Sequence, residues 1–243
     1  MPEPTPSYPC FYPLGDAALV VQFGDAISPQ VHARVRSLAT HLEQHPLAGL
    51  LEIVPAYTTL TLYYKPAAVA SRTEITPYEQ FLSQVEEIVA ELQQAAPPPA
   101  RLVEIPVCYG GAFGPDLDEV ARHCHLSPEE VIKLHQQGEY LVYMLGFAPG
   151  FAYLGGLPEQ LATPRKAEPR QAIPSGSVGI AGLQTGIYPL ETPGGWQLIG
   201  RCPLQLFDPR QDSPSQLQMG DRLRFVAISE PEFRKLERRP HGA

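Results

Sequence analysis

The chain has 243 residues, of which 44% are hydrophobic and 18% are charged, a balance typical of a globular protein. Its 18 Lys and Arg residues against 26 Asp and Glu residues give a formal net charge of −8, which argues against a nucleic-acid partner. No apolar run reaches the roughly 20 residues that a membrane helix needs, and the start MPEPTPSYP does not resemble a signal peptide. We therefore expect a cytoplasmic protein without a membrane segment.

The four cysteines predict free thiols rather than a metal centre or disulfides. They are scattered along the chain and form no CxxC pair. Cys124 lies between His123 and His125, but these three residues close one predicted helix, and the sequence has no second ligand cluster that would complete a four-ligand site. We expect no metal.

The first hundred residues alternate between strand and helix patterns. Residues 17–23 (AALVVQF) predict a strand, and Ser28 followed by Pro29 predicts the start of an amphipathic helix. Two further strands are expected at residues 50–54 and 58–64. A capping box formed by Thr76 and Glu79 then begins a second amphipathic helix, with Phe81 on its apolar face.

The placement of the next strand, residues 101–107 (RLVEIPV), decides the architecture of the first domain. If this strand returns to the first sheet, the order βαββαβ makes a ferredoxin-like unit. The run APPPA at residues 96–100 is equally compatible with a linker, and the strand then belongs to the second domain. We place the domain boundary between residues 97 and 98, giving a ferredoxin-like α/β domain over 1–97 and a second domain over 98–243.

The second domain begins with two short helices and then consists of short strands. Helices are expected at residues 116–123 and 127–137, the latter with a capping box of Ser127 and Glu130. From residue 140 onward the segments YLVYMLGF, SVGIAGL, GIYPLE, WQLIG, PLQLFD and DRLRFVAIS are separated by turn residues, which favours a β-barrel or sandwich. The charged tail after residue 228 predicts one helical turn.

Residues 146–201 form the segment with the densest glycine, proline and aromatic content. The motifs are GFAPGFAYLGGL, the basic stretch TPRKAEPR, and IPSGSVGIAGLQTGIYPLETPGGWQLIGR, followed by LFDP. Taken together and in this order, they resemble the family of 5-oxoprolinase B subunits, also described as the allophanate hydrolase subunit 1 or KipI family. The similarity extends over residues 10–230.

The resemblance implies an α+β protein in which an N-terminal α/β domain precedes a cyclophilin-like β-barrel. It implies a protein that acts with a KipA-like homologue of the C subunit and with a LamB/YcsF-like homologue of the A subunit in the ATP-dependent hydrolysis of 5-oxo-L-proline to L-glutamate. ATP would be used by the assembled complex, and no cofactor would be bound by this chain alone. The alternatives are a KipI-like inhibitor of a sensor histidine kinase and a component of a related urea or allophanate amide hydrolase.

A site for 5-oxoproline has to hold a carboxylate, read an amide edge and stabilise developing negative charge. We predict substrate-binding roles for polar residues of the motif-rich segment, namely Arg170, Gln184, Thr185, Tyr188 and Arg201. For Arg201, an ion pair with Asp208 is an equally good interpretation. We predict that four aromatic residues line the pocket or the partner surface, namely Phe147, Phe151, Tyr153 and Trp196.

The sequence identifies no catalytic residue. Ser175 and Ser177 lie in PSGSVG, but no GxSxG motif and no His or Asp partner accompanies them within the segment. The sequence also lacks a GxxxxGK nucleotide loop. We therefore expect a chain that contributes part of a site and is inactive alone.

Overall fold

The computed structural model describes residues 7–69, 75–92 and 99–238. The chain divides into two compact units, Met1–Pro99 and Ala100–Ala243. The predicted linker at residues 96–100 lies mostly outside the described residues. Within the described ranges, no helix has both the length and the apolar character needed to cross a membrane.

The first unit is a four-stranded antiparallel sheet with two helices. Its elements are β1 (Cys10–Pro13), β2 (Ala18–Gln22), α1 (Pro29–Gln44), β3 (Leu50–Pro55), β4 (Thr59–Tyr64) and α2 (Pro77–Leu92), and the strand order is β1-β2-β4-β3. The three predicted strands and both helices are confirmed. The first strand was missed, because two of its four residues are exposed and it has little apolar pattern.

Both helices begin where their capping residues predict. The Ser28 hydroxyl accepts a hydrogen bond from the Val31 N–H at 3.2 Å. The Thr76 hydroxyl accepts one from the Glu79 N–H at 3.2 Å, and the Glu79 carboxylate accepts one from the Thr76 N–H at 2.7 Å. These side chains satisfy backbone donors that the first helical turn leaves without partners.

The ferredoxin-like arrangement is not confirmed. The strand predicted at residues 101–107 is β5 (Leu102–Tyr109), and it pairs with strands of the second unit rather than with the first sheet. In the first sheet, β1 occupies the side of β2 that faces away from β4. The strand therefore belongs to the second unit, as the alternative interpretation expects.

The second unit is a closed seven-stranded barrel, in agreement with the α+β class and the predicted barrel. Its strands are β5, β6 (Tyr140–Leu145), β7 (Ala152–Gly155), β9 (Ser177–Ala181), β10 (Gln184–Ile187), β12 (Gln197–Arg201) and β13 (Arg222–Ala227). They run in the order β10-β7-β6-β13-β5-β12-β9, and β9 pairs with β10 to close the ring. A separate two-stranded sheet pairs β8 (Arg170–Ile173) with β11 (Thr192–Gly194).

Three α-helices accompany the barrel within the described residues. They are α3 (Leu117–Cys124), α4 (Pro128–Gln137) and α5 (Glu230–Glu237). The first two match the prediction, and the capping box of Ser127 and Glu130 is present. The C-terminal helix is longer than the single turn expected. The segment PLQLFD, predicted as a strand, forms only an isolated bridge between Phe207 and Ser215.

A buried polar chain links α4 to the barrel interior. His135 lies 2.8 Å from the Tyr109 hydroxyl through Nδ1 and 3.0 Å from Thr185 Oγ1 through Nε2. Thr185 donates in turn to the Gly179 carbonyl at 3.0 Å, so we infer that His135 Nε2 donates and Nδ1 accepts. Burial lowers the pKa of His135 to about 3, so this histidine is a neutral structural residue.

Candidate functional site

A pocket of about 330 Å³ opens on the barrel beside the small β8–β11 sheet. This volume is near the lower end of the range of about 300–1,000 Å³ that is usual for small-molecule sites. Its lining consists of aromatic rings, prolines, glycines and one charged side chain: Phe147, Phe151, Tyr153, Arg165, Pro169, Tyr188, Pro193, Gly194, Gly195 and Trp196.

Phe151 is the centre of the aromatic wall. Its ring centroid lies 5.1 Å from that of Tyr153, 5.5 Å from Tyr188 and 5.7 Å from Trp196. All three contacts are edge-to-face, with interplanar angles of 70° to 87°, the geometry that aromatic quadrupoles favour. The wall is therefore a packed cluster with a fixed shape.

Two glycines make room for these rings. A Cβ atom on Gly186 would lie 3.1 Å from the Trp196 ring and 3.2 Å from the Phe151 ring. A Cβ atom on Gly194 would lie 2.6 Å from the Tyr188 hydroxyl. The glycines of this motif-rich segment therefore shape the pocket by allowing rings to approach the backbone.

Arg165 is the one charged residue among those that line the pocket. Its side chain is exposed, and it forms no hydrogen bond or ion pair with the described residues. It lies close enough to Tyr188 to act on its charge: burial raises the pKa of the Tyr188 hydroxyl to about 12, and the positive charge of Arg165 opposes this rise. Tyr188 is therefore a neutral hydroxyl, and the Arg165 guanidinium has no anionic partner in the part of the chain that the structure describes.

The other two cations of the basic stretch are held by Asp116, a buried carboxylate immediately before α3. Arg170 Nη2 donates to Asp116 Oδ1 at 2.7 Å, and Lys166 Nζ donates to the same oxygen at 3.2 Å. Lys166 also pairs with Glu119 at 3.0 Å. Arg170 and Lys166 are therefore committed to ion pairs within the barrel unit.

Asp116 also fixes β12, the strand that begins directly after Trp196. The Leu198 N–H donates to Asp116 Oδ2 at 2.7 Å, and the Asp116 N–H donates to the Leu198 carbonyl at 2.9 Å. The Lys166 N–H donates to the Gly195 carbonyl at 2.7 Å. One carboxylate therefore ties together the two sides of the pocket, the Arg165–Pro169 segment and the start of β12.

The ionisation of Asp116 follows from these contacts. Burial by itself disfavours the charged form, but the hydrogen bonds from Arg170, the Leu198 N–H and Lys166 outweigh burial and hold the pKa of Asp116 below its usual value. The carboxylate is therefore ionised at neutral pH.

Of the five residues predicted to bind the substrate, one lines the pocket and four do not. Tyr188 lines the pocket. Thr185 is fully buried and bonded to His135 and Gly179, so it has no surface to offer a substrate. Gln184 is half-buried at the start of β10 and does not line the pocket. Arg170 is engaged by Asp116, and its Nη1 is buried without a partner among the described residues.

Arg201 does not line the pocket either. It is the last residue of β12. Its Nε donates to the Ser175 carbonyl at 2.8 Å. The alternative ion pair with Asp208 does not form, because Asp208 pairs with Arg210 at 2.9 Å.

The four predicted aromatic residues all lie at the pocket, but they differ in exposure. The side chain of Phe147 is 66% exposed, whereas Phe151 is 2% exposed and Trp196 is also buried. Phe151 therefore cannot serve as a partner-facing residue in this structure, and Trp196 is both a core anchor and a pocket wall.

Two residues of the site were missed in the sequence. Arg165 was seen only as part of the basic stretch, and Asp116 only as the start of a helix. No local pattern marks Asp116, since the residues that it binds lie 50 to 82 positions away. Among the described residues, no group of three or more His, Cys, Asp and Glu side chains could hold a metal ion.

The barrel and its pocket belong to a known class of domain. Residues 9–217 match the family described as "Carboxyltransferase domain, subdomain C and D". The crystal structure of TTHA0988 is similar, with a TM-score of 0.76 and 39% sequence identity over 88% of this chain. This chain corresponds to 40% of the length of that one.

Curated relatives narrow the class to one family. The B subunit of 5-oxoprolinase from Bacillus subtilis is 52% identical over 223 residues, which cover 90% of this chain and 93% of the relative. The corresponding B subunit from Escherichia coli O157:H7 is 45% identical over 221 residues, covering 90% and 96%. The chain belongs to the family of 5-oxoprolinase B subunits.

Proposed function

We propose that this chain is the B component of an ATP-dependent 5-oxoprolinase and that its aromatic pocket binds 5-oxo-L-proline. The relatives at 52% and 45% identity, both named as the B component of this enzyme, support the activity. The observation that carries the assignment of the pocket is the pairing of an aromatic wall with one uncommitted guanidinium, that of Arg165.

The chemistry of the substrate fits this pocket. 5-Oxoproline is a nearly flat five-membered lactam with a carboxylate on the carbon next to the ring nitrogen. The faces of the ring can pack against Phe151, Tyr153 and Trp196, while the carboxylate meets Arg165 at the rim. A guanidinium binds a carboxylate through two parallel hydrogen bonds, which fixes the orientation of the ligand as well as its affinity. The lactam edge would then face the hydroxyls of Tyr153 and Tyr188.

The same pocket is chemically incomplete for hydrolysis. Its lining offers aromatic hydroxyls and a cation, but no carboxylate or histidine that could take a proton from water. We therefore propose that homologues of the A and C subunits supply the missing groups and that this chain alone does not turn over. Phosphorylation of the lactam oxygen by ATP would activate the ring for attack by water. Because this sequence has no GxxxxGK loop, we assign ATP binding to another component of the complex.

Trp196 provides a direct test, because it is the only tryptophan of the chain and lines the pocket. Titration of the isolated chain with 5-oxo-L-proline should change its intrinsic fluorescence in a saturable way, whereas L-proline, which lacks the lactam oxygen, should bind more weakly. Glutamate should be released only after ATP and the two partner homologues, A and C, are added. Turnover by the isolated chain would refute the proposal that its pocket is incomplete for hydrolysis. An inactive complete assembly would refute the proposed 5-oxoprolinase function.

Replacing Arg165 should weaken substrate binding without harming the fold. We expect Arg165→Ala to raise the KM of the assembled complex about ten- to hundredfold, because a hydrogen bond to a charged group contributes about 1.5–3 kcal/mol. Arg165→Lys keeps the charge but not the two-point geometry and should restore binding only in part. The melting temperature should hardly change, because the side chain is exposed.

The matched control is Arg122→Ala, which removes an exposed arginine on α3 that does not line the pocket. Its KM should equal that of the unmodified protein. An unchanged KM in Arg165→Ala would mean that the carboxylate is bound elsewhere, and the proposed orientation of the substrate would be wrong.

A further inference from the structure

Phe147 has an unusual backbone conformation at the mouth of the pocket. Its φ is +68°, and the Ala148 N–H donates to the Gly146 carbonyl at 2.8 Å across it. These two features define a γ-turn with a positive central φ, a rare and strained turn. Among the described residues, His125 is the other non-glycine residue with positive φ, and its conformation is explained by the left-handed end of α3.

The surrounding loop holds Phe147 in this conformation. The Gly146 N–H donates to the Phe151 carbonyl, and the Phe151 N–H donates to the Ala148 carbonyl, both at 3.0 Å. Gly150 has a φ of +78°, and a Cβ atom on it would lie 2.8 Å from the Phe207 side chain. The loop between β6 and β7 is therefore closed by hydrogen bonds and packing that determine the conformation of its central residue.

The strain gives no evident benefit to folding. A bulky aromatic residue is a poor choice for a positive φ, where glycine fits without strain. The ring is also 66% exposed, and among the described residues its one aromatic contact is edge-to-face with Phe151 at 5.4 Å. Strained residues of this kind persist mainly where the side chain has a function at that position.

We propose that Phe147 is a specificity residue that contacts the substrate and forms the solvent-side wall of the pocket. The inference rests on the proposed function, because the ligand is taken to be the flat lactam ring of 5-oxoproline. The buried wall of Phe151, Tyr188 and Trp196 presents aromatic surface to one side of the lactam ring. Phe147 lines the same pocket from its exposed side, so ligand binding would bury apolar surface of the lactam and of the Phe147 side chain.

Two variants separate the role of the ring from the backbone strain. Phe147→Ala removes the ring and keeps a Cβ atom at positive φ, whereas Phe147→Gly removes both the ring and the strain. In the assembled complex, both variants should raise the KM for 5-oxoproline by at least about tenfold, because the contact between the Phe147 ring and the bound substrate is lost. Among the isolated chains, Phe147→Gly should melt about 2–4 °C above Phe147→Ala, because only glycine adopts this φ freely.

Leu183→Ala is the control, because Leu183 is 58% exposed on the same barrel and does not line the pocket. It should leave the KM unchanged. A KM within twofold of the unmodified value in both Phe147 variants would overturn the inference while leaving the proposed function intact. Failure of either Phe147 variant to co-elute with the partner proteins would also overturn it, since Phe147 would then be an assembly contact. Absence of 5-oxoprolinase activity in the unmodified complex would overturn both proposals.

Discussion

Phe151→Asp should unfold the barrel unit. Phe151 is 2% exposed and contacts the rings of Tyr153, Tyr188 and Trp196. Loss of a buried phenylalanine ring costs about 3–5 kcal/mol, and burial of an unpaired carboxylate adds several more. Together these costs approach the total stability of about 5–15 kcal/mol that is usual for a domain. Urea unfolding followed by circular dichroism and Trp196 fluorescence measures the effect.

Phe147→Asp is the matched control, because it places the same charge four residues away on an exposed side chain. Its unfolding midpoint should stay close to that of the unmodified protein. If both variants unfold at the same urea concentration as the unmodified protein, Phe151 does not lie in a packed cluster. The motif predicted that Phe151 lines the pocket or the partner surface, and the burial of its side chain favours the pocket.

Asp116→Ala should produce the second largest loss in the free energy of unfolding. It leaves Arg170 and Lys166 without their shared carboxylate and removes the acceptor of the Leu198 N–H. Breaking a buried ion pair by removing one partner costs about 3–5 kcal/mol. Because the same carboxylate ties the Arg165–Pro169 segment to β12, the KM of the assembled complex should rise as well. Thermal unfolding and steady-state kinetics measure the two effects separately.

The control for Asp116→Ala is Glu104→Ala, which removes one partner of the exposed ion pair between Glu104 and Arg224. Exposed pairs contribute about 0–1 kcal/mol, so this variant should be nearly neutral. Similar losses of unfolding free energy in the two variants would show that the buried Asp116 carboxylate contributes no more to stability than an exposed ion pair.

The contribution of the Asp116 carboxylate to the free energy of unfolding should also disappear in acid. Its pKa is lower in the folded protein than in the unfolded chain, so the unfolded state binds the proton more tightly. The stabilisation is therefore complete above the unfolded pKa of about 3.9 and is lost as the pH falls through the lower folded pKa. The difference in unfolding free energy between the unmodified protein and Asp116→Ala should shrink below about pH 4. If this free-energy difference stays constant into strong acid, the ionised Asp116 carboxylate is not the source of the stabilisation.

Local signals in the sequence predicted the helices well and the short strands poorly. Capping residues such as Ser127 and Glu130 act within one helical turn, so their effect can be read directly. The longer strand β9 was also predicted, within the segment SVGIAGL, even though each of its residues is buried and polar and apolar residues do not alternate. Strands β8 and β11 have four and three residues, too few to form a recognisable pattern. They exist because their partners lie nearby in the folded unit.

The aromatic residues that the sequence singled out line the pocket, whereas Arg170 and Arg201 do not. The motif GFAPGFAYLGGL marked the rings, because glycine and proline around aromatic residues indicate a shaped surface. Arg165 and Arg170 lie in the same basic stretch, and nothing local tells which of them is free. That choice is made by Asp116, which lies 54 positions from Arg170 and is brought to it only by folding.

The pairing of β5 with β13 has a consequence for how this protein is made. These strands lie side by side in parallel, with Leu102 opposite Arg222, and the ion pair of Arg101 with Asp221 joins residues 120 positions apart. A ribosome therefore releases most of the barrel before the strand that closes it has been synthesised. Until β13 emerges, β5 and β6 present open edges, and the site that Phe225 fills beside His135 and Tyr140 is vacant. Such long-range pairing makes folding slow, so the nascent chain passes through a prolonged stage in which it can aggregate or bind a chaperone.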